Sequence, residues 1–322
     1  MLRPMVRAGW LLGVSSRMDA VPAPGLALGA LVALNLMWGG SLPATKLALQ
    51  QQSFGPFSLA AARLVLASAL FIGVLGPRAL RAVPPGDALR MGGLGVIGFT
   101  AVQVFQALGT DHTTGATATV LASTAPLWIA LLAPLWLRER LRATTLVGLV
   151  LSLAGVAAVM GLGPGEADAA AATPAGGAIV LLSSAAAAVY TVLGKGIAQR
   201  YSPLVLCAGS CLGGAVASLP LAAWEMATTP TWPQPLGWAL LAYLAVLVTF
   251  VGFGVWFWGL RALPAARAGA LMFLQPLSGL ALASLVLGER LTPTFLLGCA
   301  LVLAGVYLAV GRPSSPAREP AR

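Results

Sequence analysis

Asn35, Trp38, Lys46, Gln103, Tyr190, Lys195 and Gln275 are polar, charged or amphipathic residues set inside long apolar stretches. An ionisable group at membrane depth costs about 2.5–3.5 kcal/mol on insertion scales, so its retention invites a functional reading. Lys46 and Lys195 are suited to attract an anionic group on a substrate, one for each of two facing states. Their long stems equally allow snorkelling to lipid headgroups. Asn35, Trp38, Gln103, Tyr190 and Gln275, with Ser41, Gln106 and Ser123, offer hydrogen bonds without charge. Gln103 and Gln106 share a helix face by their i,i+3 spacing. Gln275 precedes Pro276, whose missing N–H leaves one carbonyl of the preceding turn free. Such groups either line a cavity at mid-membrane or bond one helix to another. Arg63, about seven residues inside its span, is expected to donate to helix carbonyls within the bundle.

This inventory can bind a ligand but is poorly equipped to break bonds. A zinc protease needs paired histidines and a glutamate on one helix, and the chain has one histidine, His112. No two aspartates fall within apolar runs, and a serine nucleophile would lack a general base. There is no P-loop, so the chain does not itself drive transport with ATP. Cys207, Cys211 and Cys299 lie in apolar runs with no histidine to complete a metal set, and read as small buried apolar residues. The chain is expected to be no enzyme and to need no cofactor or metal.

The elements that position these residues follow from composition. Of 322 residues, 58% are hydrophobic and 9% charged, with a mean hydropathy of +0.89. A soluble domain carries about 25% charged residues, so lipid must be the main solvent. Apolar runs give ten candidate spans: about 26–47, 57–76, 91–109, 115–137, 144–163, 177–198, 202–224, 236–260, 266–288 and 293–311. The net charge of +10 is scattered singly between runs, which excludes a nucleic-acid surface. With both termini cytoplasmic, fifteen arginines fall on the inner side and only Arg290 outside. Trp136 and Trp258 stand near inner ends, and Trp224, Trp232 and Trp238 near outer ones. The first seventeen residues read as an upstream extension before a start at Met18.

One segment is written twice. "PLWIALLAPLWLRERL" (Pro126–Leu141) and "PLSGLALASLVLGERL" (Pro276–Leu291) lie 150 positions apart and agree at nine of sixteen positions. The match continues without a gap from Thr145–Gly161 to Phe295–Gly311, and Lys46 roughly answers to Lys195. The chain therefore divides into a tail (1–25), a five-helix repeat (26–163), a linker (164–176), a second repeat (177–311) and a tail (312–322). Five is odd, so the second copy enters the membrane from the opposite side. Glu139 and Glu289, each beside arginines, are expected to pair at helix ends. Small residues such as Gly209 and Gly213 permit close helix packing.

"LNLMWGGSLPATKLAL" (Leu34–Leu49), "LAAARLVLASAL" (Leu59–Leu70), "TVLASTAPLWIALLAPLWLRERL" (Thr119–Leu141) and "AGALMFLQPLSGLALASLVLGERL" (Ala268–Leu291) together resemble the EamA-type branch of the drug/metabolite transporter superfamily. The resemblance implies an all-α integral membrane protein of ten transmembrane helices in two inverted five-helix repeats. It would sit in the plasma membrane (the inner membrane of a bacterium) as a monomer or homodimer. Its partners would be the lipid bilayer, a small-molecule substrate and, as an open choice, a coupling proton. Inverted repeats suit alternating access. Small multidrug exporters of that superfamily use a glutamate in the first helix, whereas span 1 here carries only Lys46. Export of an amino acid or related compound therefore fits better than the alternative, efflux of cationic drugs. A channel or non-transporting membrane protein is the alternative of another class.

Overall fold

The computed structural model describes residues 20–50, 54–110, 121–159, 174–278 and 293–310, and every regular element among them is a helix. In chain order these are α1 (Pro24–Trp38), α2 (Ser41–Gln50), α3 (Pro56–Leu75), α4 (Pro77–Arg81), α5 (Pro85–Gly95), α6 (Val102–Thr110), α7 (Ala125–Leu137), α8 (Ala143–Val159), α9 (Pro174–Ala198), α10 (Pro203–Thr228), α11 (Pro235–Ala242), α12 (Gly252–Leu260), α13 (Ala265–Ala270) and α14 (Pro293–Val310). Five continuous helical stretches are long and apolar enough to cross a membrane: Pro56–Leu75, Pro85–Gln106, Ala175–Ala198, Pro203–Thr228 and Pro235–Leu260. Four shorter apolar helices accompany them. His112, Glu289, Arg290 and most of the expected linker and tails lie outside the described residues.

Proline opens many of these helices: α1, α3, α5, α10 and α11 all carry it in the first turn. The first N–H groups of a helix have no partner within it. Placing a residue without an N–H there removes one orphan donor, which matters most where the solvent cannot supply an acceptor.

The expected first span is not one helix. It breaks at Gly39–Gly40 into α1 and α2, where Gly39 and Gly40 bond back to the carbonyls of Asn35 and Met37. The third and eighth expected spans each contain a wide π turn, Val96–Ala101 between α5 and α6 and Tyr243–Val251 between α11 and α12. Shifted by 150 residues, the first of these falls within the second, so the duplication extends to a backbone irregularity. Such turns are rare and concentrate at functional places.

The halves interlock by exchange. The α1 helix packs on α12 as α9 packs on the π turn and α6 of the other half, and α3 lies along α10. Equivalent helices meet most closely at α8 and α14. There the Ser152 hydroxyl donates to the Val302 carbonyl, its partner 150 positions on, at 3.3 Å. Thr145 donates to the Ala309 carbonyl at 3.4 Å. Gly148 faces Gly305, while Gly155 faces Gly298 and Val302. Ascending α8 thus means descending α14. Two equivalent helices paired antiparallel about Ser152 and Val302 require an approximate two-fold axis perpendicular to both.

Glycine makes that approach possible. A Cβ on Gly155 would stand 2.7 Å from the Val302 nitrogen, and one on Gly148 would stand 2.6 Å from the Ala309 nitrogen. Gly213 lies against the Gly92 backbone in the same way, and Gly209 against Met91, so the packing role expected for that pair is realised. A valine at Gly148 or Gly305 must force the backbones apart, as overpacking does at about 1–3 kcal/mol. Gly148→Val and Gly305→Val are expected to lower the melting temperature of the purified protein. Gly73→Ala, where nothing stands within 4 Å of the added carbon, is expected to leave it unchanged or raise it. Equal melting of all three would refute a backbone contact here.

Candidate functional site

Six aromatic rings from both halves converge between α1, the two π-turn helices and α9. Trp38 lies 5.3 Å from Phe253 and 5.7 Å from Trp256 between ring centroids. Phe99 lies 5.1 Å from Tyr190 and 4.8 Å from Phe253. Tyr190 closes the cluster at 5.9 Å from Phe253 and 5.3 Å from Phe257. These separations are those of favourable edge and tilted ring pairs. All but Phe253 are buried. Phe253 touches three of the others and still keeps exposed area.

Two glycines admit the rings. A Cβ on Gly98, in the first π turn, would strike the Tyr190 ring. A Cβ on Gly252, just after the second π turn, would strike the Trp38 indole. Trp38 also donates its indole N–H to the Val248 carbonyl at 2.9 Å, which fixes the ring across the halves. In each half, then, an aromatic on the first helix of one repeat seats on a glycine in the third helix of the other.

A polar pair adjoins the cluster. The Asn35 amide nitrogen donates to the Leu31 carbonyl at 2.7 Å, and its oxygen accepts from the Gln275 amide at 2.8 Å. Asn35 is completely buried, so both halves of its amide are satisfied, as burial demands. Among the described residues the Gln275 amide oxygen accepts no hydrogen bond. Gln103 and Gln106 are half-buried on α6, one and two turns beyond Phe99 on the same face. The Tyr190 and Ser210 hydroxyls are buried near one another, and neither makes a hydrogen bond of good geometry among the described residues.

The lysines have separate settings. Lys46 lies on α2, and its side chain is outside the described residues. Lys195 neither reaches the surface nor stands free. Its ammonium forms an ion pair with Glu139 at 2.5 Å and donates to the Leu263 carbonyl. The other Glu139 oxygen accepts the N–H of Ala265, which opens α13, at 2.7 Å. Arg138, at φ 54°, ends α7 in the left-handed region just before Glu139. The helix-end ion pairing expected of Glu139 is present, and its cation is Lys195, 56 positions away. Lys195 is buried, whereas Arg138, Arg140 and Arg142 on that loop are exposed.

A second carboxylate does similar work without a cation. Buried Glu225, on α10, accepts from the N–H groups of Phe57 and Ser58 at 3.1 and 2.7 Å, capping α3. Negative charge at a helix start is favourable. Gly55 is a glycine because a Cβ there would collide with that carboxylate. Outside the apolar interior, the Tyr201 hydroxyl donates to Asp87, and this bond raises the phenol above its ordinary range.

Arg63 also departs from expectation. Its Nε donates to the Thr249 hydroxyl at 2.5 Å and not to a helix carbonyl. Trp38, Asn35, Tyr190 and Gln275 were legible as polar interruptions of apolar runs. Phe99, Phe253, Trp256, Phe257, Thr249 and Glu225 were not singled out. The available signal was Gly98 and Gly252, small residues in register with aromatics on the opposite half.

A polytopic membrane protein built from two copies of one apolar helical unit, with an aromatic and amide cluster at their junction, is the class these observations define. The chain belongs to the EamA-like transporter family, which it matches twice, over residues 25–161 and 175–311. It is 30% identical over 293 residues to a probable terminal-alkyne amino-acid exporter of Streptantibioticus cattleyicolor, covering 91% of this chain and 96% of that one. It is 29% identical over 280 residues to an uncharacterized transporter of Archaeoglobus fulgidus, covering 85% and 94%. A shorter match, 43% over 70 residues, joins it to a probable amino-acid metabolite efflux pump of Escherichia coli, covering 22% of this chain and 23% of that one. A crystal structure with 22% sequence identity superposes with a TM-score of 0.74 over 88% of this chain and 96% of the other, which establishes the shared fold.

The Lys195–Glu139 pair is open to a direct test. The side chains are 5% and 19% exposed, so removing one partner strands a buried charge, at about 3–5 kcal/mol. Glu139→Gln and Lys195→Met are each expected to destabilise the protein strongly in denaturant titrations. The double variant should lose clearly less than the sum of the two. Additive losses would show that the charges do not interact.

Proposed function

We propose that this chain is a secondary carrier of ten membrane spans that exports an amino acid or a related compound by alternating access. The observation that carries the reading is the junction itself: Trp38 of one half and Tyr190 of the other each seat on a glycine of the opposite half, around the half-exposed Phe253. A ring cluster shared by two interchangeable halves can open toward either end as the halves rock. The antiparallel pairing of α8 and α14 supports inversion of the repeats. The scarcity of arginine on one side supports cytoplasmic termini.

In this reading Asn35, Trp38, Gln103, Tyr190 and Gln275 face the substrate. Lys195 and Glu139 hold one end of the bundle shut, and that pair parts when this end opens. Lys46, which answers to Lys195 in the other half, draws in an anionic group. Residues 26–163 and 177–311 are the two moving units, and 164–176 joins them. A proton is the simplest coupling ion, and the functional unit is a monomer or homodimer. The names of the Streptantibioticus and Escherichia relatives support amino acids as the substrate class. Positive groups in the spans disfavour a cationic drug.

Counterflow in proteoliposomes decides between these. Vesicles preloaded with an apolar amino acid are expected to accumulate the labelled compound through the wild-type protein, and Phe253→Ala to lower that rate by at least about tenfold. Accumulation of cationic dyes alone would overturn the proposed substrate. Tags placed by protease protection on opposite faces would overturn the ten-span topology.

A further inference from the structure

Arg63 stands about seven residues inside α3, roughly 10 Å from its start at 1.5 Å per residue. Its side chain meets groups of the second π turn and of α10. Thr249 of the second π turn holds its Nε, and Cys211 of α10 and Tyr243 are close enough to interact with its charge. Thr249 is completely buried and donates its own proton to the Leu244 carbonyl at 2.9 Å, so its oxygen is free to accept from Arg63. One edge of the guanidinium is thereby fixed.

The other edge is open. A guanidinium has five N–H donors, and four remain on the two terminal nitrogens. No described carboxylate lies within ion-pair distance of Arg63, whereas Lys195 has one. The terminal nitrogens make no hydrogen bond among the described residues, and neither is an enclosed, unsatisfied atom. They therefore face accessible space, and Arg63 itself is half-buried. A fixed, unpaired fork inside a low-dielectric bundle matches the geometry of a carboxylate, which it engages with two parallel bonds.

Its position specifies the rest of the ligand. Trp38 is anchored on Val248 and Arg63 on Thr249, consecutive residues of one π turn. The cation is thereby held one residue from the carbonyl that anchors the Trp38 indole. Tyr243, on the same turn, donates to the Met37 carbonyl at 3.1 Å beside the break between α1 and α2, which keeps these groups on one side of the site. We infer that Arg63 is the carboxylate-anchoring residue of the transported substrate, holding its acid group while an apolar side chain lies against Trp38 and Phe253. Thr249 is the positioning residue that orients the guanidinium.

This assignment rests on the amino-acid carrier reading, and binding separates the two. Purified wild-type protein is titrated with leucine and phenylalanine and with their carboxamides, following tryptophan fluorescence. The free acids are expected to bind and the amides to bind far more weakly. Arg63→Gln should weaken the acids by roughly ten- to a hundredfold, the loss that hydrogen bonds to a charged group imply, and leave the amides unchanged. Arg63→Lys, which keeps the charge and loses the fork, should fall between. Thr249→Val leaves the guanidinium in place and should weaken acids more than amides, so it serves if the Arg63 variants do not fold. Equal affinity of wild type for acids and amides, no saturable response to any acid, or equal losses for acids and amides in the variants would each overturn the assignment. Acid-selective binding that depends on Arg63, without counterflow in vesicles, would sink the carrier reading and leave Arg63 standing.

Discussion

A polar group placed in hydrocarbon must find its partner within the protein, and the rest of this structure depends on that constraint. The apolar helices have no reason to prefer one another over lipid, because lipid chains are as apolar as leucine. What distinguishes one neighbour from another is close backbone approach and the few polar groups that need satisfying. Ser152 and Thr145 on α8 donate to carbonyls of α14, Glu225 accepts two N–H groups at the start of α3, and Glu139 accepts one at the start of α13. Each contact joins one repeat to the other. The halves are held by the groups they cannot satisfy alone.

Glycine and the π turn are the second expression of the same constraint. A π turn disturbs the regular ladder of helix bonds, and in lipid that disturbance must be compensated nearby. In the second half the Val248 carbonyl takes the Trp38 indole and the Thr249 hydroxyl takes Arg63. In the first half Gly98 accepts the face of Tyr190, and the Thr100 hydroxyl donates to the Gly214 carbonyl at 3.0 Å. The same irregularity thus serves different purposes in the two copies. One gathers a cation and an indole, while the other gathers a phenol and a backbone contact. The duplicated frame is thus filled unequally in its two copies.

The duplicated frame was legible in the sequence because spacing survives divergence: an offset of 150 connects Gly148 to Gly298 and Ser152 to Val302 whatever stands between them. Membrane depth was legible for Asn35, Trp38, Tyr190 and Gln275, since polarity inside an apolar run is a local property. Partnership was not. Glu139 stands between two arginines in the sequence and pairs with Lys195 in space, because the turn at Arg138 carries it into the bundle. The break at Gly39–Gly40 was hidden by apolar flanks that read as one continuous span. Phe253 and Phe99 were hidden among other apolar letters, and nothing in one dimension marks a phenylalanine that joins a ring cluster from one that faces lipid.

Charge placement distinguishes the contacts that join the two halves. Lys195 and Glu139 neutralise each other and tie α9, α7 and the start of α13 at one end, so separating them exposes two charges that only water or a ligand can satisfy. Glu225 needs no cation, because the N–H groups of α3 and the partial charge at that helix start suffice. It therefore ties α10 of one half to the start of α3 in the other. Arg63 rides on that same helix but takes its fixed bond from the opposite half, at Thr249. Rotation of one half against the other would disturb both the Arg63–Thr249 contact and the Glu225 cap. A substrate carboxylate on the open fork would add a bond on the moving side of that junction, and so would bias the halves toward the arrangement in which Arg63 keeps both.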